Sequence, residues 1–321
     1  MLLASAVLTG CPQLLDDQFD DDPVGDASVG SHAPLVLGSR PAAGEAGVAS
    51  DTSIQLTFSD PMDAAATEAA YRSADLPADS VDFSWSADGR VLLIDPRDAL
   101  AYASGTDPAS VLAHRYSIEL SGARDATGRP LEPFSLSFST AREIEASLPI
   151  VSDATLSGKL RSDGTIGVGE CENSQQTVCA GSGATTGNPS IRGFATFDLA
   201  ALPAARLALT RADLTLTISV VYGTPFTSLG PLLLESVRFD SVDLPAFDAP
   251  PRGPTLTLAT DASVDDTPSL DVLSAVQADA AEGTRSQFRL RFTESVSAEG
   301  GPDLFASNWP TLQLRVGYLL P

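Results

Sequence analysis

Between residues 50 and 140, apolar side chains recur at every second position in four short segments. Ile54, Leu56 and Phe58 do so in SIQLTFS, and Val81, Phe83 and Trp85 in VDFSWS. Tyr116, Ile118 and Leu120 follow in RYSIELS, then Phe134, Leu136 and Phe138 in FSLSFST. A period of two puts each set on one face of a strand. Asp88-Gly89 and Thr127-Gly128 supply turn signals between them. Alternating strands about 10–25 residues apart over about 100 residues predict a β-sandwich at 35–142. Asp63 precedes AAATEAAYR and is placed to cap a short helix.

A second set of strand-like segments fills residues 150–321. PLLLESVRFD, TLTLAT, SQFRLRF and TLQLRVGY alternate or form short apolar runs, with Phe288, Leu290 and Phe292 sharing one face and Leu312, Leu314, Val316 and Tyr318 another. SLDVLSAVQADAAEG is the one good helix candidate: Leu273, Val276 and Ala280 fall on one face and Gly283 sits where a stop is expected. The prediction is an all-β chain, an Ig-like β-sandwich followed by a second, jelly-roll-like β-sandwich with one short helix.

The N-terminus follows neither pattern. LLASAVLTGC has the apolar and small residues of a signal-peptide end. Leu8-Thr9-Gly10-Cys11 resembles the bacterial lipobox, which makes residues 1–11 a lipoprotein signal segment and Cys11 the expected site of lipid attachment. No Lys or Arg precedes Cys11, a departure expected if translation starts upstream of Met1. Residues 12–34 are rich in Asp, Gly, Ser and Pro and cannot bury a core, so a disordered acidic tether is expected.

Composition narrows the setting. The net charge of -23 and a single lysine, Lys159, argue against nucleic-acid binding, because phosphates would be repelled. After residue 11 no apolar run reaches the ~20 residues of a membrane helix. Arg206, Arg211 and Asp213 interrupt the start of the best stretch. The expected membrane partner is therefore met through the N-terminal lipid only, in the bacterial cell envelope and at the outer membrane.

Two resemblances give the modules a family context. RPAAGEAGVASDTSIQLTFSDPMDAAA, FSWSADGRVLLIDP, RYSIELSGARDATGRPL and FSLSFST, in that order, resemble the bacterial Ig-like domain of S-layer and other surface proteins. That family implies a spacer or stalk and brings no catalytic residues. RGFATFDLAALPAARLALTRADLTLTI, LDVLSAVQADAAEG and WPTLQLRVGYLLP resemble DNRLRE-type domains, which implies a secreted jelly-roll sandwich, sometimes sugar-binding. Residues Thr224 to Pro268 depart from that pattern.

Candidate chemistry is sparse. In an oxidising compartment Cys171 and Cys179 are placed to close a small disulfide loop. A zinc site on them would need further ligands, and the histidines are His32, in the tether, and His114, in the first module. No G-x-S-x-G elbow, P-loop or Rossmann fingerprint occurs. Asp60 and Asp63 in FSDPMD read as a strand end, turn and helix cap, with acid–base or metal work as the alternative. Asp261, Asp265 and Asp266 read as a solvated loop, with calcium as the alternative. Trp309, Phe305, Tyr222 and Phe226 would form the platform of a sugar-binding face, and core packing explains each equally well. The expected function is a non-catalytic, lipid-anchored envelope protein without cofactor, its Ig-like spacer presenting a module for a glycan or an envelope protein. A carbohydrate-binding surface protein is the alternative, and an envelope hydrolase ranks below it.

Overall fold

The computed structural model describes residues 32–165, 171, 176–183, 189–296 and 302–321. The first module holds β1 (Val36–Arg40), β2 (Ile54–Phe58), α1 (Ala64–Ala70), β3 (Tyr71–Arg72), β4 (Val81–Trp85), β5 (Val91–Pro96), β6 (Ala103–Gly105), β7 (Arg115–Leu120) and β8 (Phe134–Ser139). One sheet runs β1-β2-β5-β4 and the other β3-β7-β8. The alternating residues meet between them: Ile54, Leu56 and Phe58 pack with Leu92, Ile94, Tyr116, Ile118, Leu120, Leu136 and Phe138 in one core. Asp63 caps α1 by accepting from the Ala66 N–H at 3.1 Å, as the sequence predicts.

The second module begins with β9 (Arg142–Pro149), which leaves β8 after only Thr140 and Ala141. Residues 143–149 lie outside both sequence-defined modules, yet they form most of this strand. Then come β10 (Gly158–Arg161), β11 (Thr177–Ser182), β12 (Ser190–Asp198), β13 (Ala208–Thr215), β14 (Val220–Tyr222), α2 (Pro225–Ser228), β15 (Leu232–Ser236) and α3 (Leu244–Phe247). β16 (Leu256–Ala259), β17 (Ser269–Asp271), α4 (Leu273–Glu282), β18 (Arg285–Phe292), β19 (Asp303–Asn308) and β20 (Gln313–Leu320) complete it. An eight-stranded sheet runs β14-β19-β11-β12-β18-β15-β16 with β10 on β12, and a five-stranded sheet runs β17-β13-β20-β9-β6. Phe197, Phe288, Leu290 and Phe305 of the first pack with Leu148, Leu214, Leu314 and Val316 of the second, and Val276 of α4 joins them.

The one-helix expectation is met by α4 and exceeded by the single-turn helices α2 and α3. Each has a proline in its first turn, and Asp243 caps α3 by accepting from the Ala246 N–H. Gly283 ends α4.

The modules share a sheet. β6 of the first pairs in parallel with β9, which lies along the full length of β20. Arg142 ties the corner down: its Nε donates to the Pro321 carbonyl at 3.0 Å and its Nη1 to the carbonyls of Pro108 and Val111 at 2.8 and 3.1 Å. Thr140 and Ala141 between the modules are fully buried. This junction leaves no free linker.

The large sheet is buried on both faces. Phe288 and Leu290 point into the sandwich, while Gln287 and Arg289 point out beneath a second layer, Val237, Phe239, Ala246, Phe247 and Ala249, which packs on Leu160 and Phe194. That layer comes from the stretch Thr224 to Pro268.

Candidate functional site

A cleft of about 500 Å³ lies where α4 crosses the open side of the second sandwich. Leu234, Leu256 and Phe288 form its floor, Val272 and Leu273 one wall, and Arg252 and Asp279 its polar end. α4 sits here because its buried face carries Val276 and, one turn on, Asp279. The buried stripe is thus turned from the expected Leu273, Val276 and Ala280; Leu273 and Ala280 only flank it.

Asp279 is 1% exposed. Its Oδ2 accepts from the Ser286 hydroxyl at 2.8 Å, and its Oδ1 accepts from Arg252 Nη1 with Arg238 Nη2 at 3.8 Å. Burial pushes its carboxyl above the ordinary aspartate range, against the pull of Ser286, Arg252 and Arg238. Arg252 also donates to Glu282 at the helix end, and Arg238 approaches the same carboxylate at 3.6 Å. The two arginines therefore staple the segment after β15 to the last turn of α4. A carboxylate with this many donors is suited to holding elements together.

A second ionic cluster lies on the outer face of the large sheet. Glu235 accepts from Arg289 at 2.6 and 2.9 Å and from Arg291 at 2.8 and 3.0 Å. Burial alone would raise its pKa, but the hydrogen bonds from Arg291 and Arg289 outweigh that and hold it below the ordinary range. Arg289 Nη1 also donates to the carbonyls of Phe247 and Ala249, so it pins the covering layer.

The sequence-predicted residues fall as follows. Cys11 and the lipobox, with all but the last few tether residues, lie outside the described residues. Cys171 and Cys179 form a disulfide with Cα atoms 6.1 Å apart. Beside it the one lysine, Lys159, is buried and donates to the Cys171 carbonyl at 3.3 Å and the Thr177 hydroxyl at 3.1 Å. Phe305 and Trp309 are core residues, and Phe226 packs edge-on against Phe292. Of that aromatic set Tyr222 alone is exposed, so the four do not make a platform. His114 is exposed and lies against Tyr116.

Asp60 and Asp63 serve structure. Asp60 accepts from Arg129, and Arg129 also binds the buried Asp125. Asp125 further accepts from the N–H and hydroxyl of Thr127 and the N–H of Arg129. Burial would raise Asp125, but the bonds from Thr127 and Arg129 prevail and lower it to about 2. The DATGRPL signature thus builds a turn around one carboxylate and links it to FSDPMD. Asp261, Asp265 and Asp266 are exposed, and no group of three metal-ligating side chains occurs among the described residues. Asp265 adopts a left-handed backbone at φ 74° and, with Asp266, is hydrogen-bonded to Ile218.

Sequence reasoning missed Asp279, Arg252, Glu235 and Arg289. A signal exists for Asp279, which falls on the α4 stripe with Val272 and Val276. Arg289 carries none, because its cover comes from a distant segment.

Residues 30–140 match the bacterial Ig-like domain family. The Ig-like module is therefore the first sandwich, and the match ends at the junction. No curated protein matches the chain. Among solved structures, the N-terminal part of the bacterial S-layer protein SbsC is 16% identical with a TM-score of 0.25, over 52% of this chain and 41% of that one. A longer SbsC structure is 13% identical with a TM-score of 0.24, over 61% and 29%. An L,D-transpeptidase from Mycobacterium smegmatis is 15% identical with a TM-score of 0.25, over 70% and 74%. The chain spans less than half of either S-layer structure, and likenesses this loose bear on neither function nor partner. No helix among the described residues is long and apolar enough to cross a membrane.

Proposed function

We propose that this is a non-enzymatic protein of the bacterial cell envelope, attached to the outer membrane by a lipid on Cys11. The Ig-like module acts as a stiff spacer that presents the second sandwich for binding or assembly, with an envelope protein or glycan as partner. The observation that carries this reading is the junction, where β6 and β9 join the two modules in one sheet and Arg142 locks the corner. A spacer passes on position and force only if it does not hinge where it meets its cargo. The lipobox-like Leu8-Thr9-Gly10-Cys11 and the acidic stretch behind it support attachment. Acyl chains contribute about 0.8 kcal/mol per buried methylene, so two or more hold a protein stably on a bilayer. The engagement of Asp279 with Ser286 and Arg252 fits a structural duty better than proton transfer.

Fractionation of cells expressing the chain behind a complete signal sequence tests the attachment. The parent is expected with membranes and labelled by a fatty-acid probe, and Cys11→Ser in the soluble fraction and unlabelled. Equal labelling of both would refute lipid attachment at Cys11.

A further inference from the structure

β13, β20 and β9 lie side by side in the middle of the five-stranded sheet. On the face turned away from the core, Arg211, Gly317 and Glu145 form one row across them, and Asp213, Arg315 and Ser147 the next. Two irregularities break this face. Thr210 is the extra residue of a bulge in β13, and it donates to Glu143 at 3.1 Å. Gly317 stands opposite that bulge, where a Cβ would meet the Thr210 hydroxyl at 2.9 Å and the Arg211 Cβ at 3.1 Å. Bulges re-aim side chains beside functional sites, and a glycine inside a strand marks close approach of a ligand or another backbone.

Together they leave a cup of about 180 Å³ above Gly317, lined by Glu145, Ser147, Arg211 and Arg315 and by Thr106 of the first module. Thr106 reaches it because β6 joins this sheet beside β9. The cup therefore sits at the junction of the two modules, a preferred place for small-ligand sites.

The charges lining the cup select its occupant. Arg211 binds Asp213 and approaches Glu145 at 3.4 Å, with both of the latter pair well exposed. Arg315 stands opposite Asp213 but enters no ion pair or side-chain hydrogen bond among the described residues. An anion alone would meet Glu145, and would approach a chain of net charge -23. A cation alone would meet Arg315 and Arg211. A small molecule carrying both signs is repelled by neither.

We propose that this cup binds the zwitterionic head of a small free amino acid. Its carboxylate would accept from the Arg315 guanidinium, and its ammonium would donate to Glu145, one row away on the neighbouring strand. Charge-assisted bonds of this kind are about twice as strong as neutral ones. The site lies beyond the assembly role proposed above, and its test does not involve the lipid, so the two fail separately.

The full chain carrying Cys11→Ser, labelled with nitrogen-15, is titrated while the Nε–H signals of Arg211 and Arg315 are followed by NMR. Four probes are used: the amino acid glycine, acetate, methylammonium and methyl glucoside. Glycine is expected to shift both signals saturably and to bind at least about tenfold more tightly than each of the others. Arg315→Gln, read at Arg211, and Glu145→Gln are each expected to weaken glycine by about tenfold or more. Both substitutions fall on exposed positions, so the fold tolerates them. Equal binding of acetate or methylammonium would reduce the effect to attraction by one charge and overturn the proposal. Equal binding of methyl glucoside would make the cup a sugar site, and would overturn it too. So would the absence of a saturable shift, or full glycine affinity in either variant.

Discussion

Glu235 and Arg289 stand directly opposite each other on neighbouring strands, 2.6 Å apart and only 1% and 4% exposed. Removing one member of a buried pair strands the other charge, which typically costs about 3–5 kcal/mol. Arg289→Ala is expected to lose that much in urea-unfolding experiments, because it also frees the carbonyls of Phe247 and Ala249. Glu235→Met with Arg289→Leu should recover only part of the loss, since it leaves Arg291 without its carboxylate and the Phe247 and Ala249 carbonyls without their donor.

The carboxylate at the heart of the DATGRPL turn gives the Ig-like module a defined acid response. Asp125 is depressed to about 2 in the folded protein, against about 3.9 in an unfolded chain. A depressed carboxylate adds stability that is complete above the unfolded value and fades as pH falls through the folded one. Thermal melts of the parent and Asp125→Asn should therefore differ most above about pH 4 and converge towards about pH 2. A gap that stays constant across that window would separate the stability of the turn from the ionisation of Asp125.

The bridge between Cys171 and Cys179 closes a short loop with a sequence separation of 8. Chain-entropy arithmetic for a loop of this size gives about 2.5 kcal/mol. Replacing both cysteines with serine is expected to lower stability by about that amount, and a non-reduced digest of exported protein should yield the linked peptide. Two free thiols in that digest would remove the bridge from the account.

Much of the fold is legible along the chain, and the limits have physical causes. Ile54, Leu56 and Phe58 alternate because the first module buries one face of each strand, so periodicity finds both strand and inward face. SQFRLRF reports the inward Phe288 and Leu290 equally well. It cannot report that Gln287 and Arg289 are buried too, because the layer above them comes from residues 237–249. The boundary between modules is obscured for a similar reason. Residues 143–149 look like a connector by local composition, and only pairing with β20 makes them a core strand. The disulfide follows from cysteine spacing. The cleft does not, since β16 and β17, neighbours in sequence, end different sheets and α4 spans the gap between them.

The central claim is that the Ig-like spacer and its cargo move as one piece. Double electron–electron resonance tests it directly, with spin labels on cysteines introduced at Ser39 in β1 and Ser263 beyond β16, in the Cys11→Ser background. A single narrow distance distribution is predicted, broadened by Arg142→Ala, which removes the donor to Pro321, Pro108 and Val111. A broad or multi-peaked distribution in the parent itself would contradict a rigid junction and the spacer role built on it.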